Sequence, residues 1–467
     1  MASLNELNNQ ANALKLAGRF DEAIAAFRAI VDMAPGNPVV MHNLAGALGD
    51  AGRNKEAIDW ATRAINAGIR AAETRLVLAR ALVSEERVEE AKKAFLATIE
   101  LQPLNFEAQK EYAQLIWMTT GDLSAALQFL DRAIAANPQS VELHMVRAQT
   151  RGYCGDARGE YEEMLEALRL SGGHPQVEMS TANAAIACEE FVAGLRHARS
   201  AVEKLPSDAN VRRVLVRALL TVGEPLEALR VVSRLRAEFP LDQGYIALQA
   251  TAWRLLGDER YFQTYDYDRF VAGFPLACPK GWKSAEAYVD DLIEALDRHH
   301  QYKTHPFGQS VRHGSQLPSL TAIDDPILKA AGEAVRGPVM SYIERLGTGA
   351  DPLRIRNRGG YRLFSIWSIR LRSSGYHVNH VHPQGWLSSA SHLRFPEPKD
   401  AEDRSGWLTF GEPGLPTAPT LAPEHFVRPQ KGVMAVFPSY MWHGTVPFSG
   451  DTTRLTIAAD SVPAAAI

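Results

Sequence analysis

GRFDEAIAAFRAIVDMAP, residues Gly18–Pro35, decides how the first half of the chain is read. A glycine opens it and a proline closes it. Between them Ala23, Ile24, Phe27, Ile30 and Val31 lie on one apolar face at helical spacing. The same design returns downstream: Gly52 precedes RNKEAIDWA, Gly121 precedes DLSAALQFL, and Gly223 precedes EPLEALRVV. With Gly155 and Gly257, and with Glu86 and Glu189 in the same place, the slots fall at 18, 52, 86, 121, 155, 189, 223 and 257. Every step is 34 residues except one of 35. Pro35, Pro103, Pro138, Pro206 and Pro240 each follow a slot by 17 residues.

This spacing describes a helical hairpin. The slot residue ends one helix and allows a tight turn. The alanine five residues on (Ala23, Ala57, Ala91, Ala228) lets the second helix approach the first closely. The proline stops the second helix. One hairpin cannot bury its apolar face alone, so neighbours stack into a solenoid. A 34-residue period with Gly, Ala, Phe or Leu, and Pro at these offsets resembles the tetratricopeptide repeat over residues 1–260. The resemblance implies a groove that holds a protein or peptide. The competing reading is a solenoid that only rigidifies or dimerises the rest of the chain.

Beyond Gly257 the repeat fades, and residues 261–350 read as a connector with helices. TYDYDRFVAGFPLACPKGW reads as loop and turn. Ser284–Arg298 has a helical apolar face, and HHQYKTHPFGQSVRHGSQLPS is polar and irregular, so His299, His300, His305 and His313 are expected to be solvated. Asp324, Asp325 and Pro326 start a helix that runs from Ile327 to Leu346, with a break near Gly337-Pro338. From Tyr361 the period becomes two, in YRLFSIWSIRL, with further strand-like runs at Gly385–Arg394, Gly406–Phe410, Gly432–Phe437 and Arg454–Ala459. Residues 351–467 are therefore expected to form a small antiparallel sandwich or jelly roll, with the jelly roll (double-stranded β-helix) as the preferred reading. The fold class is an α+β multidomain chain, an all-α solenoid followed by that β domain.

The bulk numbers fit. At 467 residues more than one core is expected, and 46% hydrophobic with 22% charged residues is a globular composition. A net charge of -4 gives no electrostatic reason to invoke nucleic acid. No apolar run is long enough for a membrane span, and MASLNELNNQ lacks the pattern of a signal peptide. Cys154, Cys188 and Cys278 lie far apart with no metal-type spacing, which fits a reducing, cytoplasmic setting. The oligomeric state is not legible.

The chemistry gathers in Gly375–Pro396, GYHVNHVHPQGWLSSASHLRFP, and in FPSYMWH, which ends at His443. On a strand, H-x-H puts His380 and His382 on the same face, so both reach one ion. His443 supplies a distant third imidazole, a set suited to iron, zinc or copper. Arg454 can then pair bidentately with a carboxylate beside the metal. His377-x-Asn379 is an alternative but weaker frame, because asparagine is a poor ligand. His392 is a candidate for the pocket lining, and His425 reads as a solvated loop residue. Against all of this stands a sandwich whose histidines are ordinary core or surface groups.

This order of parts resembles the iron(II)- and 2-oxoglutarate-dependent oxygenases, with their His-x-Asp, distal His and downstream basic residue. GYHVNHVHPQGWLSSASHL, GWLTFGEP, FPSYMWHGTVPF, RLTIAADSVP and QSVRHGSQ look more narrowly like a bacterial group of proposed 2-oxoglutarate oxygenases that carry tetratricopeptide repeats. The resemblance implies Fe(II), 2-oxoglutarate and O2 as cofactor and cosubstrates. It implies His380, His382 and His443 as metal ligands and catalytic centre, and Arg454 on the distal carboxylate of 2-oxoglutarate. The expected activity is a dioxygenase that hydroxylates a substrate, with release of succinate and carbon dioxide. One departure is plain: His382 stands where the wider superfamily has an acid. That keeps alive a protein-binding scaffold with a degenerate, non-catalytic domain, and a three-histidine dioxygenase that uses no 2-oxoglutarate.

Overall fold

The computed structural model describes residues 3–464. The chain divides into two compact units, Met1–Trp117 with Asp122–Thr150, and Met118–Gly121 with Arg151–Ile467. Among the described residues, fifteen helices of about four turns run from Leu4–Leu16 to Gln243–Leu256; consecutive ones pack together from Leu4–Leu16 to Val88–Leu101 in the first unit and from Ala157–Leu170 to Gln243–Leu256 in the second. All eight slots turn the chain through left-handed backbone. Gly18, Gly52, Gly121, Gly155, Gly223 and Gly257 have φ between 67 and 94°, and Glu86 and Glu189 take φ 57 and 67° without the freedom of glycine. Ala23, Ala57, Ala91 and Ala228 are fully buried. At Gly194, the same offset after Glu189, an added Cβ would lie 2.9 Å from Ile186 Cγ1, so the two helices meet there almost backbone to backbone.

In the second unit the helices give way to nine strands. They are β1 (Ala272–Pro275), β2 (Val311–Leu317), β3 (Tyr361–His377), β4 (Leu387–Arg394), β5 (Leu408–Phe410), β6 (His425–Val427), β7 (Val433–Pro438), β8 (His443–Thr445) and β9 (Arg454–Pro463). One antiparallel sheet has the order β1-β7-β4-β9-β3-β2, and a smaller one β6-β5-β8. The stretch read as connector thus supplies both edge strands of the large sheet. Ala272 pairs with Val436 and Leu317 with Ser368. Helix Ala285–His299 buries Tyr288, Val289, Leu292, Ala295 and Leu296 in the core that also holds Trp386, Met434, Phe437 and Ile457.

The last helical hairpins are built into this core. Trp442 Nε1 donates to Thr251 Oγ1 at 2.9 Å, and Tyr265 Oη donates to Tyr440 O at 2.8 Å while accepting from Trp442 N at 3.1 Å. Arg254 pairs with Glu424 at 3.0 Å and donates to the carbonyl oxygens of Gly411 and Ala422. Thr221 Oγ1 donates to Pro416 O at 3.0 Å. The proline-rich segment after β5, legible only as a turn, is therefore docked on helices that carry the 34-residue period.

Three local expectations change. His300 and His305 are buried rather than solvated: His300 bonds to Ser315 Oγ at 2.9 Å and Ser368 Oγ at 3.0 Å, and His305 bonds to Tyr153 O at 3.3 Å. His425 lies in β6 and stacks on Tyr267 at 5.1 Å. The helix after Asp325 breaks at Ala330 and Val335, ahead of Gly337-Pro338. Pro338 falls in the first turn of helix Arg336–Leu346, where a missing N–H costs nothing.

The left-handed turn at Glu189 yields a test. Its side chain is exposed and its Cβ is strained at φ 67°. Glu189→Gly should raise the stability of the chain by about 1 kcal/mol, read as a higher urea midpoint, and a lowered midpoint would contradict the assignment of the slot.

Candidate metal centre

β3 ends at His377, so His380 and His382 do not lie on a strand as the H-x-H spacing had suggested. They converge by another route. His380 N donates to His443 O at 2.9 Å and His443 N donates back to His380 O at 3.1 Å, an isolated antiparallel bridge. His382 N donates to Ser439 O at 3.0 Å, and the chain then turns at Pro383 with Gly385 N on His382 O. His443 opens β8, opposite Phe410 of β5. The segments 380–382 and 439–443 thus run side by side, zipped by backbone bonds on both sides of the turn.

The three imidazoles meet there. Their candidate ligand atoms lie within 4.8 Å of one another, and the ring centroids of His380 and His443 are 4.3 Å apart. Each ring has its Nδ1 engaged: His380 on Val378 O at 2.9 Å, His443 on Met441 O at 2.9 Å, and His382 on Asp460 Oδ2 at 2.7 Å. A carbonyl or carboxylate oxygen accepts, so the proton sits on Nδ1 and the Nε2 lone pair is free. Burial pushes His380 down to about 3 and His443 well below the usual imidazole range. Both are neutral at physiological pH, as a metal ligand must be.

The acid absent from position 382 stands behind it. Asp460 is buried, holds His382 through Oδ2, and accepts from Ser388 Oγ through Oδ1 at 2.7 Å. A carboxylate in this place fixes the tautomer of a histidine and raises its basicity, as it does behind metal-bound histidines generally. Sequence reasoning passed over it, although a signal was present. On β9 the residues Arg454, Thr456 and Ala458 line one cavity, and Asp460 is the next on that parity.

That cavity has a volume of about 460 Å³ and is walled by the three histidines, His377, Trp367 and Phe437 among others. Arg454 opens onto it while only 2% exposed. Its Nε donates to Gly406 O at 2.9 Å and its Nη2 lies 3.5 Å from His392 Nδ1. Among the described residues no carboxylate pairs with it, and burial pushes the guanidinium down to about 10. An uncompensated buried cation costs several kcal/mol, so the site is built for an anion that enters the cavity.

The remaining histidines take other places. His377 lines the cavity, but its Nδ1 bonds to Ser310 Oγ at 2.9 Å and it lies outside the three-histidine cluster, as does Asn379. His392 is buried behind Arg454 and does not line the cavity. Three imidazole donors beside a buried arginine fit a borderline divalent metal with a carboxylate-bearing co-ligand.

Comparison with known proteins agrees with this chemistry. Residues 365–460 match the family described as "Putative 2OG-Fe(II) oxygenase", and residues 14–68 and 76–141 match tetratricopeptide repeat families. The chain thus carries tetratricopeptide repeats followed by a C-terminal domain of that oxygenase family. It is 24% identical over 177 residues to DnaJ homolog subfamily C member 3 of Homo sapiens, covering 35% of each chain. It is 43% identical over 54 residues to Tetratricopeptide repeat protein 36 of Danio rerio, covering 12% of this chain and 29% of that one. The chain spans about a third of the length of these curated relatives. Among solved structures, the C-terminal part of a TPR repeat-containing protein from Cytophaga hutchinsonii covers 56% of this chain and 95% of its own at 12% identity, TM-score 0.38. YrrB, described as a TPR protein with an unusual peptide-binding site, covers 40% and 95% at 16% identity, TM-score 0.28.

The Asp460–His382 pair can be tested without any substrate. Asp460→Ala should weaken divalent metal binding about 10–100-fold in a chelator-competition titration, and an unchanged affinity would remove Asp460 from the site.

Proposed function

We propose that this chain is an iron(II)- and 2-oxoglutarate-dependent oxygenase that hydroxylates a substrate. The observation that carries the reading is the pairing of a three-imidazole cluster with a buried arginine that lacks a counter-ion, inside a domain that matches an oxygenase family. His380, His382 and His443 would hold Fe(II), and Arg454 would take the distal carboxylate of 2-oxoglutarate. When bound, the iron supplies activation of O2 coupled to oxidative decarboxylation of 2-oxoglutarate.

The chain's own residues prepare that chemistry. Asp460 and Ser388 keep His382 in one tautomer, and the carbonyls of Val378 and Met441 do the same for His380 and His443. Trp367 stacks on His382 at 5.7 Å, and Phe437 packs against His443 at 4.7 Å, so apolar rings exclude water from two sides of the cluster. Trp442, anchored on Thr251, holds the segment that presents His443. The two-sheet domain is read as a jelly roll.

The repeats have two roles in this proposal. The last hairpins brace the centre, and the repeats hold a protein or peptide substrate, as tetratricopeptide repeats generally bind such partners. No helix among the described residues is long and apolar enough to cross a membrane. With Cys154, Cys188 and Cys278 all free, we place the protein in a reducing, cytoplasmic setting. A scaffold with a degenerate domain is the weaker alternative, because a domain with nothing to bind would gain nothing from burying Arg454 unpaired.

The test is turnover. Supplied with iron(II), 2-oxoglutarate and oxygen, the protein should release succinate. His443→Ala should abolish that release, and Arg454→Gln should raise the KM for 2-oxoglutarate by about tenfold or more. A protein that neither binds 2-oxoglutarate nor forms succinate would overturn the proposal in favour of the scaffold.

A further inference from the structure

The cavity holds a second arginine that the metal and cosubstrate do not use. Arg312 lines it from β2, half-buried. Its Nη1 donates to the carbonyl oxygens of Gln309 and Val311 at 2.8 Å each, and among the described residues the guanidinium makes no other bond and no ion pair. Two bonds to backbone carbonyls orient the group without neutralising it. The orientation is built by the backbone. The β2–β3 ladder is interrupted between Arg312 and Gly314, where His313 and Ser374 take φ 51 and 63°, and such interruptions re-aim side chains beside functional sites.

Arg312 and Arg454 are not two halves of one clamp. Arg312 lies opposite Tyr376 on one side of β3, whereas Arg454 lies opposite Leu371 on the other side. Their backbones are therefore two strand spacings apart, about 10 Å, and are offset along β3 as well. Charge gives the same answer. A divalent metal and Arg454 would be answered by the two carboxylates of 2-oxoglutarate and by Asp460 behind His382. Among the described residues lining the cavity none is an aspartate or glutamate, so Arg312 is answered by nothing. Room is available too: about 460 Å³ is the size of a pocket for a drug-sized ligand, larger than a five-carbon diacid needs. Tyr153, stacked on Phe307 at 5.2 Å, and Gln309 and Gln316 wall the space around Arg312 with further polar groups.

We propose that Arg312 anchors the substrate by pairing with a carboxylate on it, so that the enzyme acts on an acidic molecule, whether a free small acid or an acidic residue of a peptide. Nη2 and Nε are the donors left for that bidentate pair. This inference rests on the oxygenase reading above.

The experiment uses the full chain loaded with nickel(II), which does not turn over, and saturated with 2-oxoglutarate. Calorimetry then follows three probes: N-acetylaspartate methylamide, its neutral counterpart N-acetylasparagine methylamide, and free aspartate. An acidic probe should bind while the neutral one does not. Arg312→Gln should weaken the acidic probe about tenfold or more while 2-oxoglutarate still binds nearly as in the wild type. Preference for the blocked aspartate points to a peptide substrate, and preference for free aspartate to a small acid. Equal binding of acidic and neutral probes, no binding of any probe, or loss of 2-oxoglutarate rather than of the acidic probe in Arg312→Gln would overturn the assignment. If 2-oxoglutarate itself fails to bind the nickel-loaded wild type, the oxygenase reading falls, and this inference with it.

Discussion

Two backbone hydrogen bonds exchanged between His380 and His443 hold the site together. Each is worth about 1 kcal/mol on its own, yet their position gives them weight. They join the segment leaving β3 in the large sheet to β8 in the small one. The same residues that make the bridge carry two of the three imidazoles, so the distance between candidate ligands is set by main-chain geometry rather than by rotamers alone. His382 follows because its own N–H is fixed on Ser439, inside the segment that ends at His443.

Around this bridge the electrostatics are consistent at every level. Burial keeps His380 and His443 neutral, and each Nδ1 has an oxygen partner, which leaves three lone pairs converging. Negative charge is present, but one layer out, where Asp460 acts on His382 through a hydrogen bond. Positive charge is present at Arg454 and Arg312, on the two flanks of β3, with no carboxylate paired to either among the described residues. Such a cavity favours anions. The helices then enter as mechanical support: Thr251 and Tyr265 bond to Trp442, next to His443, so the last repeats share one core with the segment that presents His443 to the candidate metal site.

How much of this was legible depended on how local its cause was. The helical turns were readable at all eight slots, including Glu86 and Glu189, because period and position determine them whatever the side chain. The histidine cluster was readable from H-x-H and a distant His, although the strand that was to carry the pair ends at His377. The edge strands were not readable. Ala272–Pro275 sits among prolines and aromatics and becomes a strand only by pairing with β7, far along the chain. His300 and His305 looked solvated because their polar neighbours in sequence are not their neighbours in space. Asp460 hid for the opposite reason: it ends an apolar run, and only the closure of β9 on β3 and β4 turns it toward His382.

The central claim is that three imidazoles, with no carboxylate among them, hold the metal. X-ray absorption at the iron edge of the iron(II)-loaded protein measures this most directly. Scattering from three imidazoles is the predicted result, reduced to two in His382→Ala. A centre with two imidazoles and a carboxylate in the wild type, or with no imidazole scattering at all, would contradict it.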